Sequence, residues 1–146
     1  MSGVPEALEP VQPSGWRRGR GYSHGMVAPG NGRTLFVAGQ IGWDERQEIV
    51  GDGFAEQFEQ ALANVVAVVR AAGGEPEHVG RLTIYVTDKR EYVAASPEIG
   101  EAYRRLVGSH YPAMALVEVK GLLEPRAKVE IAADAVLPES TERPEG

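Results

Sequence analysis

A single apolar stripe most constrains this chain. Phe54, Phe58, Ala61, Val65 and Val69 recur at three- and four-residue spacing, so one face of a helix is apolar and the other polar. Asp52 stands where an N-cap is expected and Gly73-Gly74 where a helix stops, which predicts a helix running to about Ala72. A one-sided helix needs an apolar surface to lie on. Residues 81–87 promise one, because Leu82, Ile84 and Val86 alternate with Arg81, Thr83, Tyr85 and Thr87 as a strand with one buried face does. A second helix is predicted with Ser96 as cap, Pro97 at the first helical position, Ile99, Ala102, Tyr103 and Leu106 inward, and Gly108 at its end. Closing strands are expected over residues 114–119 and 128–136. Upstream, residues 22–27 and 34–37 read as a hairpin across Pro29-Gly30-Asn31-Gly32, since Asn-Gly supplies the positive φ of a tight turn. The order β-β-α-β-α-β-β is that of an α+β sandwich with two helices packed on one face of a mixed sheet. Two helices cover one side only. Apolar members of the other side, taken as Tyr85 and Met114 or Leu116, are therefore expected to be buried against another copy of the chain.

Length and composition narrow the function classes. At 146 residues the chain fits one domain, read as residues 16–137 between flexible tails at 1–15 and 138–146, both rich in proline and poor in periodic apolar content. No apolar run is long enough to span a bilayer, and the first ten residues lack the basic start and apolar middle of a secretory signal, so a cytoplasmic protein without membrane association is expected. There is no cysteine, which removes thiol nucleophiles and disulfides. A net charge of −6 repels phosphate backbones, so nucleic acid is not expected as a partner.

Several chemistries find no support. His24, His78 and His110 are scattered and show no i, i+4 pairing with acidic residues, so neither a metal site nor any other cofactor is implied. No serine stands in a Gly-x-Ser-x-Gly elbow. The glycine-rich run 19–25 lacks the Gly-Lys-Ser/Thr ending of a phosphate loop, and a strand is expected after it. Trp16, Arg17, Arg18, Arg20 and Tyr22 mix cations with aromatics, but one such cluster in an acidic chain reads as solubilising charge.

Six fragments in order carry a resemblance. They are Gly21-Tyr22-Ser23-His24; Ala38-Gly39-Gln40-Ile41; the helix segment 60–65 ending in Ala71-Ala72-Gly73; Thr83-Ile84-Tyr85-Val86-Thr87-Asp88; Tyr111-Pro112-Ala113; and Val129-Glu130-Ile131. Over residues 22–136 the chain resembles the RidA/YjgF proteins, small trimeric enamine/imine deaminases with a chorismate-mutase-like fold. The resemblance implies a homotrimer with a small-molecule ligand in clefts between subunits, a glutamate that positions or activates water, and an arginine after Pro-Ala that grips the substrate carboxylate. Glu130 matches the glutamate, Tyr22 the aromatic residue at the cleft edge, and Gly39-Gln40 the loop after the second strand. Met114 occupies the arginine position. Ala38, Leu116 and Ala132 also depart from the family's usual residues.

The arginine's loss bears on function. A guanidinium makes two parallel charge-assisted bonds to a carboxylate, each worth about 1.5–3 kcal/mol, so its replacement by methionine weakens such binding by roughly a hundredfold or more. Either another cation reaches the cleft, with Lys120, Arg126, Lys128 or the cluster Arg17-Arg18-Arg20 as candidates, or the ligand has no carboxylate at that point, in keeping with the soft, flexible methionine side chain. Strand parity puts Met114, Leu116 and Glu118 on one face of their strand and Lys128, Glu130, Ala132 and Asp134 on one face of the next, so Glu130 and Glu118 are expected to share a cleft. The reading is a RidA-like hydrolase of a small C=N metabolite, with Glu130 catalytic and Tyr22, Gly39, Gln40, Met114, Leu116 and Glu118 binding. The alternative is a non-catalytic trimeric binding or regulatory module. Ribonuclease action, associated with relatives, is opposed by the acidic charge and the want of a catalytic histidine-lysine set.

Overall fold

The structure, a computed structural model, describes residues 7–139. Its strands are β1 (Glu9–Val11), β2 (Gly25–Val27), β3 (Arg33–Ile41), β4 (Val79–Val86), β5 (Ala113–Glu118) and β6 (Val129–Leu137), and its helices are α1 (Phe54–Ala71), α2 (Lys89–Ala94) and α3 (Ser96–Leu106). The main sheet runs β3-β6-β4-β5, antiparallel except for the parallel β4-β5 pair. This is the expected α+β sandwich. Phe58, Leu62, Val65 and Val69 of α1 pack on Leu82, Ile84 and Val86 of β4 and on Val129, Ile131, Ala133 and Ala135 of β6. Each fully buried aliphatic side chain of this kind stabilises the fold by about 1.5–3 kcal/mol.

The long helix forms as predicted, with a different cap. Gly53 is the N-cap, and the Glu56 carboxylate accepts its N–H at 2.9 Å, while Asp52 turns away to accept from Arg126 at 3.0 Å. Gly73, at φ 91°, ends the helix in the left-handed region.

Four expectations are corrected. Residues 22–27 and 34–37 do not form a hairpin: β2 pairs with β1, while β3 pairs with β6 over a longer ladder. Neither Asn31 nor its flanking glycines adopts the positive φ that such a turn requires. Gly32 is needed for another reason, since a Cβ there would stand 2.3 Å from the Val136 side chain. The segment 1–15 is not wholly a tail, because Glu9–Val11 forms β1, and residues 1–6 lie outside the described residues, as do 140–146 of the C-terminal segment. Ser96 is not a cap: α2, unforeseen in the sequence, runs through Ala95 into α3, and the Ser96 hydroxyl donates back to the Val93 carbonyl at 2.7 Å. Finally, Met114 and Leu116 lie on the helix side of the sheet. Their register partners on β4 are the buried Leu82 and Ile84, and both pack on the core. The face away from the helices carries Tyr85 together with the exposed Phe36 and Val117.

Candidate functional site

Glu130 stands on the face away from the helices, opposite Tyr85 on β4 and Ile41 on β3. Between Val37 and Gln40 the β3 ladder slips by a bulge, which brings Gly39 over the glutamate. A Cβ on Gly39 would lie 2.6 Å from Glu130 Oε2, so only glycine leaves that carboxylate its place. Gln40 donates its side-chain amide to the Ala38 carbonyl at 3.1 Å and thereby braces the bulge. The start of β6 is anchored by Gln57 of α1, which is fully buried. Its amide donates to the carbonyls of Gly51 (2.8 Å) and Arg126 (3.1 Å), and its oxygen accepts from the Lys128 N–H at 2.8 Å. Glu130 follows two residues later.

Met114 lies on the other face of the sheet. With Phe58, Leu62, Leu82, Ile84 and Ile99 it lines an apolar cavity of about 270 Å³ between the sheet and α1 and α3. Leu116 packs on the core beside Ile84 and is not among the lining residues. The chain beside Tyr22 is held against β5, because Ser23 bridges to Ala113, takes the Pro112 carbonyl at 3.0 Å through its N–H, and donates its hydroxyl to the Tyr111 carbonyl at 2.5 Å, although Tyr22 itself does not line this cavity. Gly21 and Tyr111 then border the cavity. The Tyr111 ring stacks on Tyr103 at 5.5 Å and 6°, and the Tyr103 hydroxyl donates to the His110 carbonyl. Burial, with the neighbouring Tyr111, pushes the Tyr103 phenol far above its usual range, so it stays neutral. Arg104 also lines the cavity. Its Nη1 comes 3.4 Å from where a Cβ on Gly100 would stand, so the guanidinium folds back along α3.

Glu130 and Met114 thus lie on opposite faces of the sheet, and one chain does not bring them together. Glu130 is registered to Tyr85 and Glu118 to Val86; adjacent residues of one strand point to opposite faces, so the two glutamates do not share a cleft within the chain. Glu118 instead accepts the N–H of Lys89, the first residue of α2, at 2.9 Å. Of the proposed replacement cations, Arg126 is paired with Asp52 and Lys128 with Glu91, and none lines the Met114 cavity. Arg18 borders a separate hollow with Tyr22. The cation at the cavity is Arg104, which sequence reasoning missed. Its signal was present: it follows the inward-facing Tyr103 by one position and Gly100 by four. The three histidines are engaged with backbone, His24 at Arg17, His78 at Glu75 and His110 at Val79.

The sequence profile of the family described as Endoribonuclease L-PSP matches residues 18–137. A human protein named 2-iminobutanoate/2-iminopropanoate deaminase is 31% identical over 105 residues, which cover 71% of this chain and 73% of the human one. A RutC family protein of Aquifex aeolicus is 35% identical over 131 residues, or 89% of this chain and 94% of its own. The crystal structure of YyfB from Yersinia pestis, described as a protein of unknown function of the conserved Rid protein family, superposes with a TM-score of 0.77 at 32% identity. That match covers 90% of this chain and 99% of YyfB.

Proposed function

The chain belongs to the Endoribonuclease L-PSP family, the RidA/YjgF proteins, and from that premise we propose that it is a hydrolase of a small enamine, imine or related C=N metabolite. It works in clefts completed between copies of a homotrimer. The observation that carries this reading is the Glu130 carboxylate under Gly39, on a sheet face that no helix among the described residues covers. A second copy laying its Met114 edge against that face brings Glu130 and Met114 together as two half-sites. Water adds to the carbon of the protonated imine while Glu130 takes one of its protons; Glu130 passes that proton to the carbinolamine nitrogen and takes the hydroxyl proton as C=O forms and the C–N bond breaks, so that ammonia leaves behind a carbonyl compound. Met114 gives no grip on a carboxylate, so short 2-imino acids are held weakly.

The test is ammonia release from 2-aminoacrylate and 2-imino acids generated in situ. Slow wild-type turnover is expected, with a fall of about 10²–10⁴ in Glu130→Gln and a gain in Met114→Arg. Brisk wild-type turnover of 2-iminopropanoate would sink the reading of Met114, and an unimpaired Glu130→Gln would sink that of Glu130. The apolar lining of the Met114 cavity favours a second reading, a trimeric binding module without turnover. It predicts ligand binding with no ammonia from any C=N compound supplied.

A further inference from the structure

The Met114 cavity is larger than a short imino acid needs. An apolar cavity of about 150 Å³ accommodates a benzene ring, and this one, of about 270 Å³, has room for a ring or branched chain and a short acidic arm. Its walls from the sheet and α1 are aliphatic and aromatic; its α3 wall ends in a guanidinium. Arg105, the next residue, is spent on an ion pair with Glu59, whereas Arg104 has no ion-pair partner among the described residues. The guanidinium lies back over Gly100, with Nη1 3.4 Å from where a Cβ there would stand. An exposed arginine held at the mouth of an apolar cavity suits an anion whose tail enters the cavity.

We infer that Arg104 takes the anion-gripping role that Met114 has vacated, and that the site takes an amphipathic monocarboxylate whose ring or branched chain fills the cavity beneath Met114. Specificity moves with the cation. A carboxylate on Arg104 of α3 leaves the space next to Met114 to apolar substance, so a ligand must have an apolar body long enough to join the two. Short acids, which have none, bind poorly for that reason as well as for lack of an arginine on β5. This inference rests on the reading of the Met114 edge as part of the ligand site, but not on turnover.

Binding of simple probes tests it. The wild-type protein, Arg104→Gln and Arg104→Lys are titrated calorimetrically with phenylacetate, its uncharged amide phenylacetamide, and acetate. In parallel, the methyl signal of Met114, assigned through Met114→Leu, is followed in spectra of methyl-labelled methionine. The wild type is expected to prefer phenylacetate to phenylacetamide by about tenfold or more and to ignore acetate. Arg104→Gln should lose the preference while keeping its affinity for phenylacetamide, Arg104→Lys should keep part of it, and both ring probes should shift Met114 in every variant. A charge preference that survives Arg104→Gln overturns the inference, as does a ring probe that binds without moving Met114, or a failure of all ring probes to bind the wild type. Loss of ammonia release with this pattern intact removes the hydrolase reading alone; ammonia release without it removes this one alone.

Discussion

Met114 and Glu130 stand two strands apart on opposite sides of one sheet, and most of what the site can do follows from that placement. Glu130 depends on a neighbour with no side chain. Gly39→Val should push the carboxylate out of place and lower ammonia release by more than about tenfold, with the circular dichroism spectrum unchanged, since Gly39 is exposed and its φ is not in the left-handed region. Unaltered turnover in that variant would show that the carboxylate has no need of its present position. Glu130 and Met114 were singled out in the sequence because short motifs carry them. Their separation was not. Alternation along a strand says which residues share a face, but the phase of one strand against the next is set by pairing with β4, where Glu130 meets Tyr85 and Glu118 meets Val86. Arg104 was overlooked because a lone arginine on an amphipathic helix resembles any solvated charge until a cavity is seen beside it.

Two local clamps brace β6 and α2. The Gln57 clamp ties α1 to the segment that opens β6, and Gln57→Leu leaves the Gly51 and Arg126 carbonyls and the Lys128 N–H without their partner. Urea denaturation should show a loss of roughly 2–3 kcal/mol; a loss below half a kilocalorie would mean that water replaces the amide without cost. At α2, the Asp88 carboxyl is held below its ordinary range, first by the hydrogen bond from the Arg90 side chain and then by its N–H. A depressed carboxyl stabilises the folded form above its unfolded pKa and ceases to do so as pH falls through the folded one. Exchange protection of the Arg90 amide should therefore hold at neutral pH and fade below about pH 4, while in Asp88→Asn protection should be weaker at neutral pH and flat across that range. α1 could be read because its stripe and glycine stop act locally. The supposed hairpin could not, since β3 finds a longer partner in β6, far along the chain, and α2 has too few inward residues for a period to show.

The whole molecule has one face too many. Helices cover one side of the sheet, and the other presents Phe36, 78% exposed, with Val117 and Tyr85. Layer counting anticipated an uncovered side, although it placed Met114 and Leu116 there wrongly. Light scattering should give about three times the 15.7 kDa of one chain, and Phe36→Glu should yield monomers; a wild-type monomer at micromolar concentration would leave the half-sites apart. The central claim is that the site joins Glu130 of one copy to the Met114 edge of another, and complementation tests it most directly. Glu130→Gln and Met114→Glu are each expected to be inactive, and the mixed assemblies are isolated after co-expression with two affinity tags. Every mixed trimer, whether it holds one or two copies of a given variant, keeps both halves intact in one of its three clefts, so ammonia release should return to about a third of the wild-type rate. Mixed assemblies no more active than their two parents would contradict the claim and place the chemistry within a single chain.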